Sequence, residues 1–171
     1  MVAIELSAVD CHDPIVKTLR WRDEAATHAF ALALSAQPAL ANAFIALHGD
    51  LGAGKTTLVR HLLQALGVQG RIKSPTYAVV EPYELPALNV WHFDFYRFAD
   101  PREWEDAGFR DIFASPGLKL AEWPEKAATF LPMADIDLTL HTLGETARQV
   151  TLRASTPTGA VLLQAINRQE H

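Results

Sequence analysis

One eight-residue stretch constrains the fold of this chain more than any other feature, because it matches the pattern G-x-x-x-x-G-K-[ST]. The pattern belongs between a buried strand and a helix. An apolar run at 44–48 precedes it, and apolar residues recur at helical spacing over 55–66. A chance glycine-rich turn is disfavoured by the full match with both flanks in place. The stretch consists of Gly49, Asp50, Leu51, Gly52, Ala53, Gly54, Lys55 and Thr56.

Such a loop is built to hold phosphate. Its backbone N–H groups point inward around phosphate oxygens, and the N-terminus of the following helix adds partial positive charge. We expect the Lys55 ammonium to reach the β- and γ-phosphates and the Thr56 hydroxyl to bind Mg²⁺. Thr57 is expected at the helix start or against the α-phosphate. No Asn-Lys-x-Asp guanine-reading motif is present, so the sequence favours ATP over GTP.

Two carboxylates are candidates for the metal site, which needs an acidic residue at the end of a neighbouring strand. Glu122 ends an apolar run before Trp123. Asp94 lies in an aromatic run, where an unpaired buried charge is costly. Either residue could be the direct metal ligand, and Asp94 could instead form an ion pair with Arg97. Lys119 indicates that the strand before Glu122 has an exposed or partly covered face, and Trp123 is expected either in the core or beside the nucleotide.

The remaining pattern predicts an α/β layered fold, with a largely parallel central sheet, antiparallel margins and flanking helices. Asp23 is the expected N-cap of the first helix. We expect a loosely ordered extension over 1–16 and a single domain over 17–171. Strands are predicted at 17–21, 44–48, 77–83, 89–98, 117–123, 135–141 and 148–153, and helices at 24–34, 55–66, 101–109 and 156–168.

Composition and charge indicate which partners and which cellular compartment to expect for the chain. The formal net charge is −5 and no basic run is present, which argues against independent nucleic-acid binding. No apolar run approaches the roughly 20 residues of a membrane-spanning helix. The single cysteine, Cys11, suits a reducing cytoplasm, and residues 1–14 lack the basic start of a secretory signal.

Four separated segments together resemble one family, the bacterial TsaE family (also called YjeE), which is the ATPase subunit of tRNA threonylcarbamoyl-adenosine biosynthesis. They are G-D-L-G-A-G-K-T-T at 49–57, K-S-P-T-Y at 73–77, H-F-D-F-Y-R at 92–97 and E-W-P at 122–124. Similar short segments occur at 81–83, 99–101 and 108–111, so the resemblance spans 22–125. The first segment is shared with many ATPases, and the order and spacing of the others make the resemblance specific.

The resemblance implies a P-loop fold, ATP and Mg²⁺ as cofactors, and weak hydrolysis without partners. It also implies two partner proteins, one of them the threonylcarbamoyl transferase, that modify the adenosine beside the anticodon of tRNA. Contact with tRNA would run through those partners. By motif, Thr56 and Glu122 are similar to the metal-site residues, and Thr76 is similar to a γ-phosphate sensor.

The same resemblance implies the catalytic pair and the base pocket. Asp94 is similar to the catalytic or water-positioning carboxylate, and we expect it to act together with Lys55. Residues 23–27, which include Thr27, resemble the family segment near the adenine.

Two other function classes use the same loop. A small-molecule kinase would need an acceptor pocket and a closing cationic lid, and the sequence indicates neither. A nucleotide-gated binding module, with incidental turnover, would use the same residues. No arginine is a clear candidate for an arginine finger within the chain. The segment 74–76 is either a nucleotide-responsive loop or a rigid turn.

Overall fold

The central element is a mixed β-sheet of seven strands in the computed structural model, which describes residues 13–106 and 108–169. Its spatial order is β1-β7-β6-β2-β5-β4-β3. The strands are β1 (Ile15–Trp21), β2 (Phe44–His48), β3 (Val80–Glu84), β4 (Asn89–Asp94), β5 (Leu118–Glu122), β6 (Ile136–Thr142) and β7 (Arg148–Ala154). β4, β5, β2 and β6 run parallel, whereas β1, β7 and β3 pair antiparallel to their neighbours. The predicted parallel centre with antiparallel margins is therefore confirmed.

Five α-helices flank the sheet in the described part of the chain. They are α1 (Glu24–Ser35), α2 (Lys55–Ala65), α3 (Pro101–Asp106), α4 (Phe109–Ala114) and α5 (Pro157–Gln169), with 3-10 turns at Pro38–Asn42 and Pro124–Ala127. α1 begins where predicted, because the Asp23 side chain accepts a hydrogen bond from Ala26 N at 3.1 Å. None of the described helices is long and apolar enough to cross a membrane.

The two faces of the sheet bury different side chains. On one face, aliphatic residues of the sheet such as Leu47 and Leu138 pack with Leu62 of α2. On the other face, aromatic rings form a second core, in which Phe93 stacks on Phe95 with ring centroids 5.4 Å apart. Such aromatic pairs contribute about 0.5–1.5 kcal/mol beyond the area that they bury. The parallel strand β2 is buried on both faces, as its continuous apolar run predicts.

Several expectations differ from the structure. The strand predicted at 77–83 begins only at Val80, because Val79 has a left-handed backbone (φ +68°). The strand predicted at 89–98 ends at Asp94, because the chain turns there with Phe98 N donating to the Phe95 carbonyl.

The helix predicted over 101–109 is two short helices, because Gly108 takes a left-handed conformation (φ +68°) and interrupts the helical backbone. Lys119 is buried, since its Nζ donates to the Ser115 carbonyl and its ammonium lies 5.5 Å from the centre of the Trp91 ring. The first strand starts at Ile15, two residues earlier than predicted. The rest of the predicted extension, residues 1–12, lies outside the described residues.

Candidate functional site

The glycine-rich loop joins the end of β2 to the start of α2, at the carboxyl edge of the parallel strands. Gly49 opens it with φ +145°, and a Cβ there would stand 2.7 Å from the Leu140 carbonyl oxygen of β6. Only glycine allows so close an approach of the loop to the sheet. Gly54, at φ +109°, directs the chain into α2, so that Lys55 and Thr56 occupy the first helical turn.

Lys55 is a buried cation that has no carboxylate in direct contact among the residues that the structure describes. Its side chain is only 5% exposed, and its Nζ donates to the carbonyl oxygens of Gly49 and Asp50. Burial lowers the pKa of Lys55, against the opposing effect of nearby carboxylates, the largest from Glu122. The ammonium also lies 4.0 Å from the centre of the Trp123 ring. This ammonium is therefore placed to exchange weak carbonyl and ring contacts for phosphate oxygens.

Thr56 and Glu122 meet beside Lys55. The Thr56 hydroxyl donates to Glu122 Oε1 at 2.7 Å, and the other carboxylate oxygen, Oε2, lies 2.6 Å from His92 Nε2. Glu122 is 2% exposed, so its charge is held by these two contacts rather than by water. A hydroxyl and a carboxylate are the oxygen ligands that a hard divalent cation such as Mg²⁺ prefers. The residues present fit the metal that the sequence leads us to expect.

Asp94 lies next to Glu122 across the parallel pair β4–β5 and anchors the loop before β3. Its Oδ2 accepts a hydrogen bond from the Ser74 hydroxyl, and Thr76 Oγ1 lies 3.5 Å from the same oxygen. Its Oδ1 accepts from Tyr96 N at 3.0 Å. The alternative of an ion pair with Arg97 is not the observed arrangement, because that guanidinium lies over the Tyr77 ring at 4.6 Å.

Two adjoining cavities, each of about 390 Å³, contain the predicted site residues. The first, which we name the phosphate cavity after the ligand expected from the sequence, is lined by the loop from Asp50 to Thr57 together with Ser74, Thr76, Asp94, Tyr96, Glu122, Trp123 and Arg148. The second, which we name the base cavity on the same expectation, is lined by Trp21, Asp23, Glu24, Thr27, Ala53, Gly54, Thr57, Leu140, Glu145, Thr146 and Arg148. The structure thus brings Thr76, Asp94 and Glu122 together at one cavity and places Thr27 at the other. Gly49, the remaining predicted loop residue, lines neither cavity and lies against Leu140 of β6.

Arg148 is a residue of this site that the sequence did not indicate. It lies at the start of β7 and lines both cavities. Its Nε donates to the Ala53 carbonyl at 2.8 Å, and its Nη1 donates to the Ala147 carbonyl at 2.9 Å. The guanidinium thereby ties the phosphate-binding loop to an antiparallel strand some 95 residues further along the chain. No local motif marks it, since its position depends on the strand order.

Comparison with known proteins shows a family match over residues 21–150 of the chain. The sequence model of the family described as "Threonylcarbamoyl adenosine biosynthesis protein TsaE" matches residues 21–150. A relative from Haemophilus influenzae, named tRNA threonylcarbamoyladenosine biosynthesis protein TsaE, is 46% identical over 121 residues, 71% of this chain and 76% of its own. A relative of the same name from Bacillus subtilis is 31% identical over 157 residues, 91% of this chain and 98% of its own.

The fold has a counterpart among solved structures. The crystal structure of Bacillus subtilis YdiB superposes with a TM-score of 0.75, covering 94% of this chain and 99% of that one at 24% identity. This likeness supports the same architecture. The match of the family model over residues 21–150 and the relatives at 46% and 31% identity show that the chain belongs to the TsaE family, which takes part in tRNA threonylcarbamoyladenosine biosynthesis.

Proposed function

We propose that this chain is a Mg²⁺-dependent P-loop ATPase whose nucleotide state controls a threonylcarbamoyl transferase complex. That complex, formed by two partner proteins, would modify the adenosine beside the anticodon of tRNA and would carry the tRNA contacts. One observation carries the proposal: the hydroxyl of Thr56, next to the loop lysine, lies 2.7 Å from the strand-end carboxylate Glu122. This is the pairing that P-loop enzymes use to hold the cation of a bound nucleoside triphosphate.

In this proposal one cavity binds the phosphates of the nucleotide and the other binds its base. The phosphate cavity supplies the loop N–H groups and the Lys55 ammonium, both of which attract the negatively charged phosphates. The base cavity offers Trp21 and Thr27 at the start of α1, beside the loop. Each cavity has a volume typical of part of a small-molecule site. Because no guanine-reading motif is present, ATP is the nucleotide that we assign to the pair.

Hydrolysis in this class depends on positioning and on charge stabilisation rather than on covalent chemistry. Thr56 and Glu122 would hold Mg²⁺, which neutralises charge on the phosphates when bound. Lys55 would stabilise the charge that develops on the γ-phosphate oxygens. Asp94, 5% exposed and bound to the 74–76 loop, would orient the attacking water.

The link from Asp94 to the 74–76 loop supports a switch. Ser74 and Thr76 both contact the same oxygen of Asp94. A change at the γ-phosphate position that moves Asp94 would therefore also move the loop. Loops of this kind order around a γ-phosphate and relax when it leaves. A partner that binds the loop would therefore distinguish the ATP state from the ADP state.

The test is to replace Glu122 by glutamine and to compare it with Glu125→Gln. Glu125 is an exposed carboxylate three residues further on, outside the phosphate cavity. We expect Glu122→Gln to lose most Mg²⁺-dependent ATP turnover in the presence of the partner complex, whereas Glu125→Gln retains it. Calorimetry should show that Glu122→Gln still binds ATP. Wild-type turnover by Glu122→Gln would contradict the proposed metal site.

A further inference from the structure

His92 is a fully buried polar residue that lines neither of the two cavities. It lies in the middle of β4 with 0% of its surface exposed. Side chains alternate along a strand, so His92 and Asp94 point to the same face of the sheet. β4 pairs with β5 so that His92 is opposite Leu120 and Asp94 is opposite Glu122. His92 is therefore the diagonal neighbour of Glu122, within reach of its carboxylate.

The ring makes a single directional contact. His92 Nε2 lies 2.6 Å from Glu122 Oε2, whereas Nδ1 is the one buried side-chain polar atom without a hydrogen-bond partner among the described residues. An ionised carboxylate can only accept hydrogen bonds, so Nε2 is the donor in this pair. An unpartnered buried nitrogen is a cost that an apolar side chain would avoid. The hydrogen bond to Glu122 is the interaction that a leucine at this position could not make, and it offsets the cost of the unpartnered nitrogen.

The consequence of this contact appears on the other side of Glu122. With Oε2 held by His92, the remaining oxygen, Oε1, points to the Thr56 hydroxyl at 2.7 Å. Two hydrogen bonds thus connect three side chains in series: His92 of β4, Glu122 at the end of β5 and Thr56 in the first turn of α2. A hydrogen bond to the oxygen of a ligand that faces away from the metal fixes the orientation of that ligand and tunes the affinity of the site.

We propose that His92 is a positioning residue for the divalent cation, which acts by fixing the Glu122 carboxylate rather than by touching the nucleotide. The inference rests on the proposed function, because it requires that Thr56 and Glu122 bind Mg²⁺. It goes further because it states that a residue of β4, which contacts Glu122 and not the cation, raises the affinity of the site for Mg²⁺.

Three variants separate positioning from packing. His92→Gln places an amide N–H close to the position of Nε2 and keeps the contact to Glu122. His92→Asn is equally polar but places its amide near the position of Nδ1, so the contact is lost. His92→Leu fills the space without a donor. The non-hydrolysable triphosphate AMP-PNP is titrated by calorimetry over a range of Mg²⁺ concentrations and in EDTA, and the melting temperature of each variant is recorded.

We expect His92→Asn and His92→Leu to raise the Mg²⁺ concentration for half-maximal tight binding by about 10- to 100-fold. His92→Gln should stay close to wild type, and binding in EDTA should be equal in all four proteins. If His92→Leu does not fold, the comparison of glutamine with asparagine decides the question.

Equal Mg²⁺ dependence of the asparagine variant and the wild type would overturn the inference. So would a glutamine variant as impaired as the asparagine variant, because packing rather than the hydrogen bond would then be responsible. Wild-type binding that is independent of Mg²⁺ would instead show that the proposed metal site itself is wrong, and the positioning role would be wrong with it.

Discussion

The indole ring of Trp123 covers the Lys55 ammonium, with the Nζ atom 4.0 Å from the ring centre. Trp123 has a left-handed backbone (φ +55°) directly after β5, a conformation that is strained for a bulky residue. Its ring also packs on Tyr96, with centroids 5.1 Å apart. A bound triphosphate that forms an ion pair with the Lys55 ammonium would compete with this cation–π contact. Trp123 thus lines the phosphate cavity and also packs against the edge of the aromatic core, so the structure combines the two positions expected from the sequence.

The first prediction uses this contact as a reporter. ATP and ADP should change the tryptophan fluorescence by different amounts, because only the γ-phosphate draws Lys55 fully away from the Trp123 ring. Trp21 lines the base cavity and should respond alike to both nucleotides. Trp123→Phe should therefore abolish the difference between the ATP and ADP signals. A difference of wild-type size in this variant would show that the ring does not respond to the γ-phosphate.

The second prediction concerns Arg148. Arg148→Ala should weaken ATP binding about tenfold, since the Ala53 carbonyl loses a hydrogen bond from a charged group, worth about 1.5 kcal/mol. Arg148→Lys should not restore binding, because a single ammonium cannot reach the carbonyls of Ala53 and Ala147 together. Arg153→Ala is the control, on the same strand but outside both cavities. Equal affinities for the alanine variants at the two positions would contradict the role of Arg148.

The third prediction tests the close approach of the loop to the sheet. A strained backbone conformation typically costs about 1–3 kcal/mol. Gly49→Ala should lower the free energy of unfolding by more than this, because the Cβ of the alanine would also collide with the Leu140 carbonyl. Gly67→Ala supplies strain alone, at φ +108° with nothing within 4 Å of the added carbon. Urea unfolding measures both. Gly49→Ala no less stable than Gly67→Ala would mean that the loop can shift away from β6.

The fourth prediction addresses the proposed switch. Thr76→Ala should still bind ADP but should lose ATP-dependent association with the transferase complex, because the loop loses the Thr76 hydroxyl, one of its two hydroxyls beside Asp94. Thr76→Ser keeps the hydroxyl and should associate normally. Co-elution with the complex in ATP and in ADP measures the effect. ATP-dependent association of Thr76→Ala at the wild-type level would identify 74–76 as a rigid turn.

Local patterns were sufficient to predict the framework of the site. The strand β2, the loop and the helix α2 follow from one motif and its flanks, because glycine, lysine and apolar periodicity each have a direct structural reason. Glu122 was identified as a strand-end carboxylate before Trp123, and the structure places it against Thr56.

What the sequence did not indicate depends on contacts between distant strands. Arg148 reaches Ala53 only because β7 lies next to β6, and His92 reaches Glu122 only because β4 and β5 pair in one register. Lys119 shows the opposite failure, since a charged residue in a strand predicted an exposed or partly covered face. In the structure the aliphatic stem is buried and the ammonium finds the Ser115 carbonyl.

The measurement that tests the central claim most directly is ATP turnover by the purified chain, alone and with the transferase complex. Lys55→Ala is measured beside it, with the exposed Lys126→Ala as the control. We predict slow Mg²⁺-dependent release of phosphate by the chain alone, acceleration by the complex, and loss of both activities in Lys55→Ala but not in Lys126→Ala. Turnover that survives in Lys55→Ala would contradict the account, as would phosphoryl transfer to a small acceptor without any response to the complex.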